Sequence, residues 1–267
     1  MHISNKIQSF TYLGGKFSLL PWLLPKLPET KHFVDVFGGS AVVLLNRDQA
    51  PIETYNDINK KIVNFFQVLR RDPETLINQL QLVPYSRFEY DHAFYTDGET
   101  EIEQAIKFFI RTQQSIYAAG AQDKVKGWAA SVRESRVSIS EKTYKFLKAV
   151  NGLYEVSERL RQVQIECRDF RFILKSYDDP NTLFYCDCPY DMTFRSSSKY
   201  EFEFASQDYH DLFYWAKKAK GKVAISGYNS PFMCELFGGG YFNFHEGPKR
   251  KNNMSNKEAY ECLWTNY

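Results

Sequence analysis

Along the chain, short runs of β-branched and aromatic residues alternate with stretches whose apolar positions recur three and four residues apart. The first pattern is that of strands and the second that of amphipathic helices, and their alternation predicts an α/β domain. Strands are expected at 32–37, 52–55, 163–167, 182–187 and 222–226. Two more, 241–245 and 260–267, are joined by the polar, basic stretch 246–258 and read as a C-terminal hairpin. Helices are expected at 17–24, 40–47, 58–69, 101–117, 140–160 and 207–220, with Asp57 as the N-cap of the third and Ser140 of the fifth.

The strands are unevenly spaced. More than a hundred residues separate the second from the third, and only about fifteen separate the third from the fourth. An inserted, mostly helical subdomain at 72–161 accounts for this, leaving 1–71 and 162–267 as one discontinuous α/β domain of seven strands. Hydrophobic residues at 43% and charged residues at 25% are the proportions of a globular protein. No apolar run approaches the length of a membrane span, and the opening Met1-His2-Ile3-Ser4-Asn5-Lys6 lacks the apolar core of a secretory leader. The five cysteines are irregularly spaced and the five histidines scattered, which predicts reduced thiols in a cytoplasm and no metal site. The 16% of aromatic residues fits a packed core and stacking faces for bases equally well.

The net charge of +2 conceals an uneven distribution. Segment 111–161 carries ten Lys and Arg against five Asp and Glu, and a second basic knot, Lys249-Arg250-Lys251, lies near the C-terminus. Two such segments suit a polyanion such as nucleic acid, and equally suit two solvated surfaces.

Three motifs carry candidate chemistry. Asp35-Val36-Phe37-Gly38-Gly39-Ser40 follows an apolar strand and opens an apolar helix. Glycines there let a backbone approach a ligand, or simply make a tight turn. There is no Gly-x-Gly-x-x-Gly, so a nicotinamide or flavin reading loses support. Asp57, at the end of the next strand, is placed to accept from ribose hydroxyls or to cap a helix. Finally, the strand ending Phe184-Tyr185-Cys186 runs into Asp187-Cys188-Pro189-Tyr190. A carboxylate and a backbone carbonyl at a strand's C-terminal end suit an exocyclic amino group, and the following Tyr a base to stack on it.

Together with Tyr12-Leu13-Gly14-Gly15-Lys16 and Arg168-Asp169-Phe170, these motifs resemble the Dam-type (D12 class) DNA adenine-N6 methyltransferases, from about residue 10 to the C-terminus. The resemblance implies a Rossmann-like seven-stranded mixed sheet of the class I methyltransferase type, S-adenosylmethionine as cofactor and double-stranded DNA as partner. It places Tyr12 and Lys16 beside the methionine part of the cofactor, Asp35, Phe37 and Gly38 beneath it, and Asp57 on the ribose. Asp169 would accept from the cofactor's adenine amine, with Phe170 packed on that ring. Asp187 and the carbonyl of Cys188 would hold the target amine, Pro189 would stiffen the turn, and Tyr190 would stack on the flipped base. The family's Asp-Pro-Pro-Tyr reads Asp187-Cys188-Pro189-Tyr190 here, keeping the carbonyl and losing one proline's rigidity.

The inserted subdomain would then recognise DNA through Arg111, Gln113, Gln114, Arg133 and Arg136, while Lys249, Arg250 and Lys251 in the hairpin loop grip backbone. The polar stretch 194–199 is a candidate lid or a plain linker. A monomer in a bacterial or phage-infected cytoplasm is expected. Methylation of another planar amine (cytosine N4 or RNA adenine) and a silent DNA-binding relative are the alternatives. Restriction–modification, phage protection and gene regulation are not separated by these residues.

Overall fold

The computed structural model describes residues 6–12, 14–116, 127–190, 201–251 and 258–267, with the side chains of residues 250, 251, 258 and 259 left out. The candidate lid at 194–199 therefore lies outside the described residues.

The strands are β1 (His32–Asp35), β2 (Ile52–Asn56), β3 (Val163–Glu166), β4 (Thr182–Cys186), β5 (Lys222–Tyr228), β6 (Asn243–Lys251) and β7 (Glu258–Thr265). They form one seven-stranded sheet in the order β3-β2-β1-β4-β5-β7-β6, the mixed, Rossmann-like arrangement expected. The first five run parallel, and β7 is antiparallel to both of its neighbours. β4 is buried at every position, as a strand covered on both faces must be. The strand order reverses between β1 and β4, and in such sheets the crevice at that point accepts ligands.

Helices α1 (Leu20–Leu23), α2 (Val42–Asn46) and α3 (Lys60–Arg71) follow in the first third of the chain. The expected helix at 17–24 shrinks to α1 and a short 3₁₀ turn, Leu24–Lys26, because Pro21 and Pro25 each admit only a first-turn position. Asp57 does not cap α3. That position belongs to Asn59, whose side chain accepts from the Lys61 N–H at 2.9 Å. Ser140 does occupy the N-cap position of its helix, without a capping side-chain bond.

The insertion contains α4 (Pro73–Leu82), α5 (Arg87–Tyr95), α6 (Glu101–Gln114) and α7 (Glu141–Leu160). α6 stops three residues short of expectation, where Ser115 turns into a bridge with Trp128. The insertion does not build a core of its own: Phe108, Phe109, Phe146 and Val150 join Phe10, Phe65 and Phe66 of the sheet domain in one cluster. Arg159 near the end of α7 clamps it to the sheet, donating to both carboxylate oxygens of buried Glu53 and to the Leu44 carbonyl.

The remaining helices are α8 (Phe170–Ser176), α9 (Ser206–Lys218) and α10 (Pro231–Phe237). The C-terminal hairpin differs from expectation. Lys249, Arg250 and Lys251 lie on β6, paired with Tyr260, Ala259 and Glu258, rather than in the connecting loop. An irregularity between Glu246 and Lys249 absorbs Gly247-Pro248, after which pairing resumes. Among the described residues no helix is long and apolar enough to cross a membrane.

Candidate active site

A cleft opens at the C-terminal ends of β1, β2 and β4. It is lined by Tyr12, Lys16, Asp35, Phe37, Gly38, Asp57, Asp187, Cys188, Pro189 and Tyr190, so motifs scattered over the sequence meet here.

One wall is the turn after β1. Gly38 sits on the Tyr55 ring so closely that a Cβ there would lie 2.1 Å from its Cε2 atom. Gly39 has φ +50°, and Ala41, the residue just before α2, also lies in the left-handed region at φ 56°. The Tyr55 hydroxyl donates to the Gly39 carbonyl at 2.8 Å, and the Gly38 N–H donates to the Asn56 carbonyl at 2.8 Å. Asp57 accepts from the N–H groups of Gly39 and Asn59, each at 2.8 Å. Burial pushes the Asp57 carboxyl up to about 6, and those two N–H groups oppose the shift. Burial, with the charges of Asp187 and Asp57, holds Asp35 well above the ordinary carboxylate range.

Asn56 ties this wall together, although nothing in its sequence context marks it. Its amide donates to the Val36 and Arg168 carbonyls at 2.9 and 3.1 Å and accepts from the Arg168 N–H at 2.9 Å. Neither Asp169 nor Phe170, the residues next along the chain, is among those that line the cleft. Phe170 packs against Phe37 at 5.5 Å and Phe204 at 5.3 Å. The Asp169 carboxylate caps α8 on the Arg171 N–H and pairs with the Arg171 guanidinium at 2.9 Å.

The opposite wall is the turn after β4, fixed by charge. The Lys16 ammonium is 1% exposed and lies 2.5 Å from Asp187 Oδ1, 3.2 Å from Glu261 Oε1 and 2.6 Å from the Tyr190 hydroxyl. Lys16 lines the cleft, with its charge drawn onto these groups. Burial alone would lower its pKa, but the carboxylates of Asp187 and Glu261 outweigh burial and hold it well above the usual lysine value. The Ser226 hydroxyl also donates to Asp187 Oδ1, at 2.9 Å, and bonds Tyr185 at 3.0 Å. These contacts all fall on Oδ1. Oδ2, on a side chain 21% exposed, has no hydrogen bond among the described residues.

Tyr190 stacks on Tyr228 with ring centroids 4.2 Å apart and 18° between planes. Burial pushes the Cys188 thiol up to about 12, helped by the Asp187 charge, so it stays protonated and non-nucleophilic. The Tyr209 hydroxyl donates to the Pro189 carbonyl at 2.6 Å, a brace on the turn whose usual first proline is missing. Glu261, Ser226, Tyr228 and Asn56 all escape sequence reasoning, because each acts through a partner remote in the chain.

The residues expected to meet DNA divide sharply. Arg133, Arg136 and Lys249 are exposed. Gln114 is fully buried, accepting from the Trp128 indole at 3.2 Å and donating to the Pro84 carbonyl at 3.4 Å, so it braces the insertion instead of facing outward. Arg111 is buried too, and lines a separate pocket with Lys61 and Lys107. Gln113 is half-buried, and the Arg250 and Lys251 side chains lie outside the described ones. No group of His, Cys, Asp and Glu able to hold a metal occurs among the described residues.

The chain resembles known proteins along most of its length. It is 23% identical over 246 residues to the DNA N-6-adenine-methyltransferase of Escherichia phage P1, a match covering 85% of this chain and 30% of that protein. It is 36% identical over 70 residues to the DNA adenine methylase of Vibrio cholerae serotype O1, covering 26% of this chain and 24% of that protein. The chain thus spans less than a third of either relative's length. With the Type II methyltransferase M1.LlaDCHI of Lactococcus lactis subsp. cremoris it shares 26% identity over 296 residues, covering 98% of this chain and 97% of the other. A family model matches residues 12–253, taking in both walls of the cleft, and the chain belongs to the D12 class N6 adenine-specific DNA methyltransferases.

Proposed function

We propose that the protein transfers a methyl group from S-adenosylmethionine to N6 of an adenine extruded from duplex DNA. The observation that carries this reading is Asp187: one carboxylate oxygen is saturated by Lys16 and Ser226, and the other is left for an amine. The neighbouring wall suits the cofactor. Its buried acids Asp35 and Asp57 match a sulfonium cation and a ribose diol, and Gly38 and Gly39 line it with main chain.

The cofactor supplies the methyl on an already activated sulfonium carbon. Asp57 would accept from the ribose hydroxyls, with Tyr12, Asp35, Phe37 and Gly38 lining the rest and Asp169 and Phe170 flanking the adenine end. An aromatic exocyclic amine is a weak nucleophile because its lone pair is delocalised into the ring. Asp187 and the Cys188 carbonyl, accepting its two protons, would favour a pyramidal nitrogen and aim the lone pair along the line of transfer. Asp187 would stabilise the positive charge that the nitrogen acquires with the methyl, and its Oδ2 would accept the proton that the nitrogen then sheds. No cysteine thiolate is called for, consistent with the raised Cys188 thiol. Tyr190 would stack on the extruded base, for which its contact with Tyr228 must rearrange or leave its other face available.

Residues 72–161 would form the target-recognition subdomain, with Arg133 and Arg136 as its outward-facing candidates. Incorporation of labelled methyl into unmethylated DNA, followed by digestion to nucleosides, tests the reading. N6-methyladenine is expected, and Asp187→Ala should abolish it, by about 100-fold or more, while cofactor and DNA still bind. N4-methylcytosine would overturn the substrate assignment, and methyl transfer only to RNA would overturn the DNA one.

A further inference from the structure

The turn after β4 has two acceptors to hold in register, the Asp187 carboxylate and the Cys188 carbonyl, and its own sequence supplies only part of the stiffness. Asp187 is fixed by Lys16 at 2.5 Å and by the Ser226 hydroxyl at 2.9 Å. Pro189 locks its own φ and confines the residue before it to extended backbone, which limits the ψ that aims the Cys188 carbonyl. Two dihedrals beyond Asp187 have no covalent restraint. One is φ of Cys188, where a proline would supply it, and the other is ψ of Pro189, which swings the peptide leading into Tyr190.

Tyr209, on α9, acts on the second of these. Its hydroxyl donates to the Pro189 carbonyl at 2.6 Å and so fixes the plane of that peptide. The donor is itself held, because its ring is buried and meets Phe204 at 5.1 Å and Phe232 at 5.4 Å, both edge-on. Asp208 and Asp211 on the same helix accept from the Arg171 guanidinium, which ties α9 to α8. With Asp187 pinned at one end of the turn and Pro189 at the other, φ of Cys188 between them is set by closure of the chain.

We propose that Tyr209 is a positioning residue, whose hydroxyl supplies from α9 the rigidity that Cys188 does not give the turn and so keeps the Cys188 carbonyl aimed at the target amine. This inference rests on the methyltransferase reading. A carbonyl that wanders still accepts from an amine, but for part of the time it draws the nitrogen lone pair off the line of transfer. The loss therefore falls on rate rather than on binding.

Tyr209→Phe removes the hydroxyl and keeps the packed ring. It should lower kcat about fivefold, the worth of one ordinary hydrogen bond, with KM for DNA and for S-adenosylmethionine within about twofold. A double-mutant cycle asks whether the two stiffening devices replace each other: in the Cys188→Pro protein the same change should cost about twofold or less. An equal loss in both backgrounds would overturn the proposal.

A second readout needs no turnover and stands even where Cys188→Pro fails to fold. The Cys188 thiol is buried, and so is that of Cys186, two residues earlier on β4. In Tyr209→Phe, N-ethylmaleimide should modify Cys188 about fivefold faster than in wild type, read by peptide mass, with Cys186 unchanged. A packing role predicts that both thiols react faster together or that neither does, and either pattern would sink the brace. If the wild type methylated no DNA, the methyltransferase reading would fail on its own, while the thiol pattern would still decide whether Tyr209 stiffens the turn.

Discussion

The two walls of the cleft are built on different physics. The wall after β1 is held by backbone and shape: Gly38 pressed on Tyr55, two positive-φ residues, and Asn56 stitched to three main-chain atoms. The wall after β4 is held by side-chain charge, with Lys16 set among Asp187, Glu261 and the Tyr190 hydroxyl. On the proposed reaction, the first would present a fixed surface to a cofactor whose shape does not change, and the second would respond to an amine that gains charge. Damage to the first should therefore appear as strain and lost binding, and damage to the second as lost rate with binding kept.

The strongest way to break the contrast is to overpack the first wall. Gly38→Ala would drive a methyl into a buried ring that is itself packed against Phe66 at 5.0 Å. Thermal unfolding should show about 1–3 kcal/mol of destabilisation, several degrees in Tm, together with weaker cofactor binding by calorimetry. An unchanged Tm would mean that Tyr55 swings aside freely, and the wall would not be rigid.

A milder probe is pH. With its pKa raised to about 6, Asp57 is protonated in the fold below that value and ionised above it. Its contribution to stability is present at low pH and fades as pH rises from about 4 through 6. Acceptance from ribose hydroxyls needs the ionised form, so cofactor affinity should move the opposite way, tightening up to about tenfold between pH 5 and pH 7. Asp57→Asn should remove both trends. Parallel movement of the two quantities in the wild type would contradict the assignment.

The smallest effect on the cleft is expected from Lys249→Ala/Arg250→Ala on β6. DNA binding should weaken alike for every sequence, with the slope of log affinity against log salt falling by up to about 1.8, while kcat at saturating DNA holds. A salt slope equal to wild type would show that this strand does not meet the phosphates.

How far each wall could be read from sequence follows from the same contrast. The shape-held wall was legible because its requirements are local: glycines at a strand-to-helix turn and an acid at the end of the next strand. The charge-held wall was half legible. Asp187 and Tyr190 announce themselves at a strand end, but Glu261 looks like one more polar residue in a hairpin until β7 is laid against β5. Asp57 lines the cleft but does not cap the helix, because Asn59 two residues on competes for that position and wins. The basic insertion misled in proportion to its burial. Composition counts Arg159 and Arg111 as surface charge, whereas one clamps Glu53 and the other lies within the fold.

The ion network also sets an order of disassembly. Lys16 and Asp187 are 171 residues apart in the chain, and Tyr190 and Glu261 another 71. The parallel strands β1 to β5 pair with one another independently of β7, so a chain whose hairpin had detached would keep its parallel sheet but not its full set of charges. Catalytic competence should accordingly be the first property surrendered when the hairpin peels away.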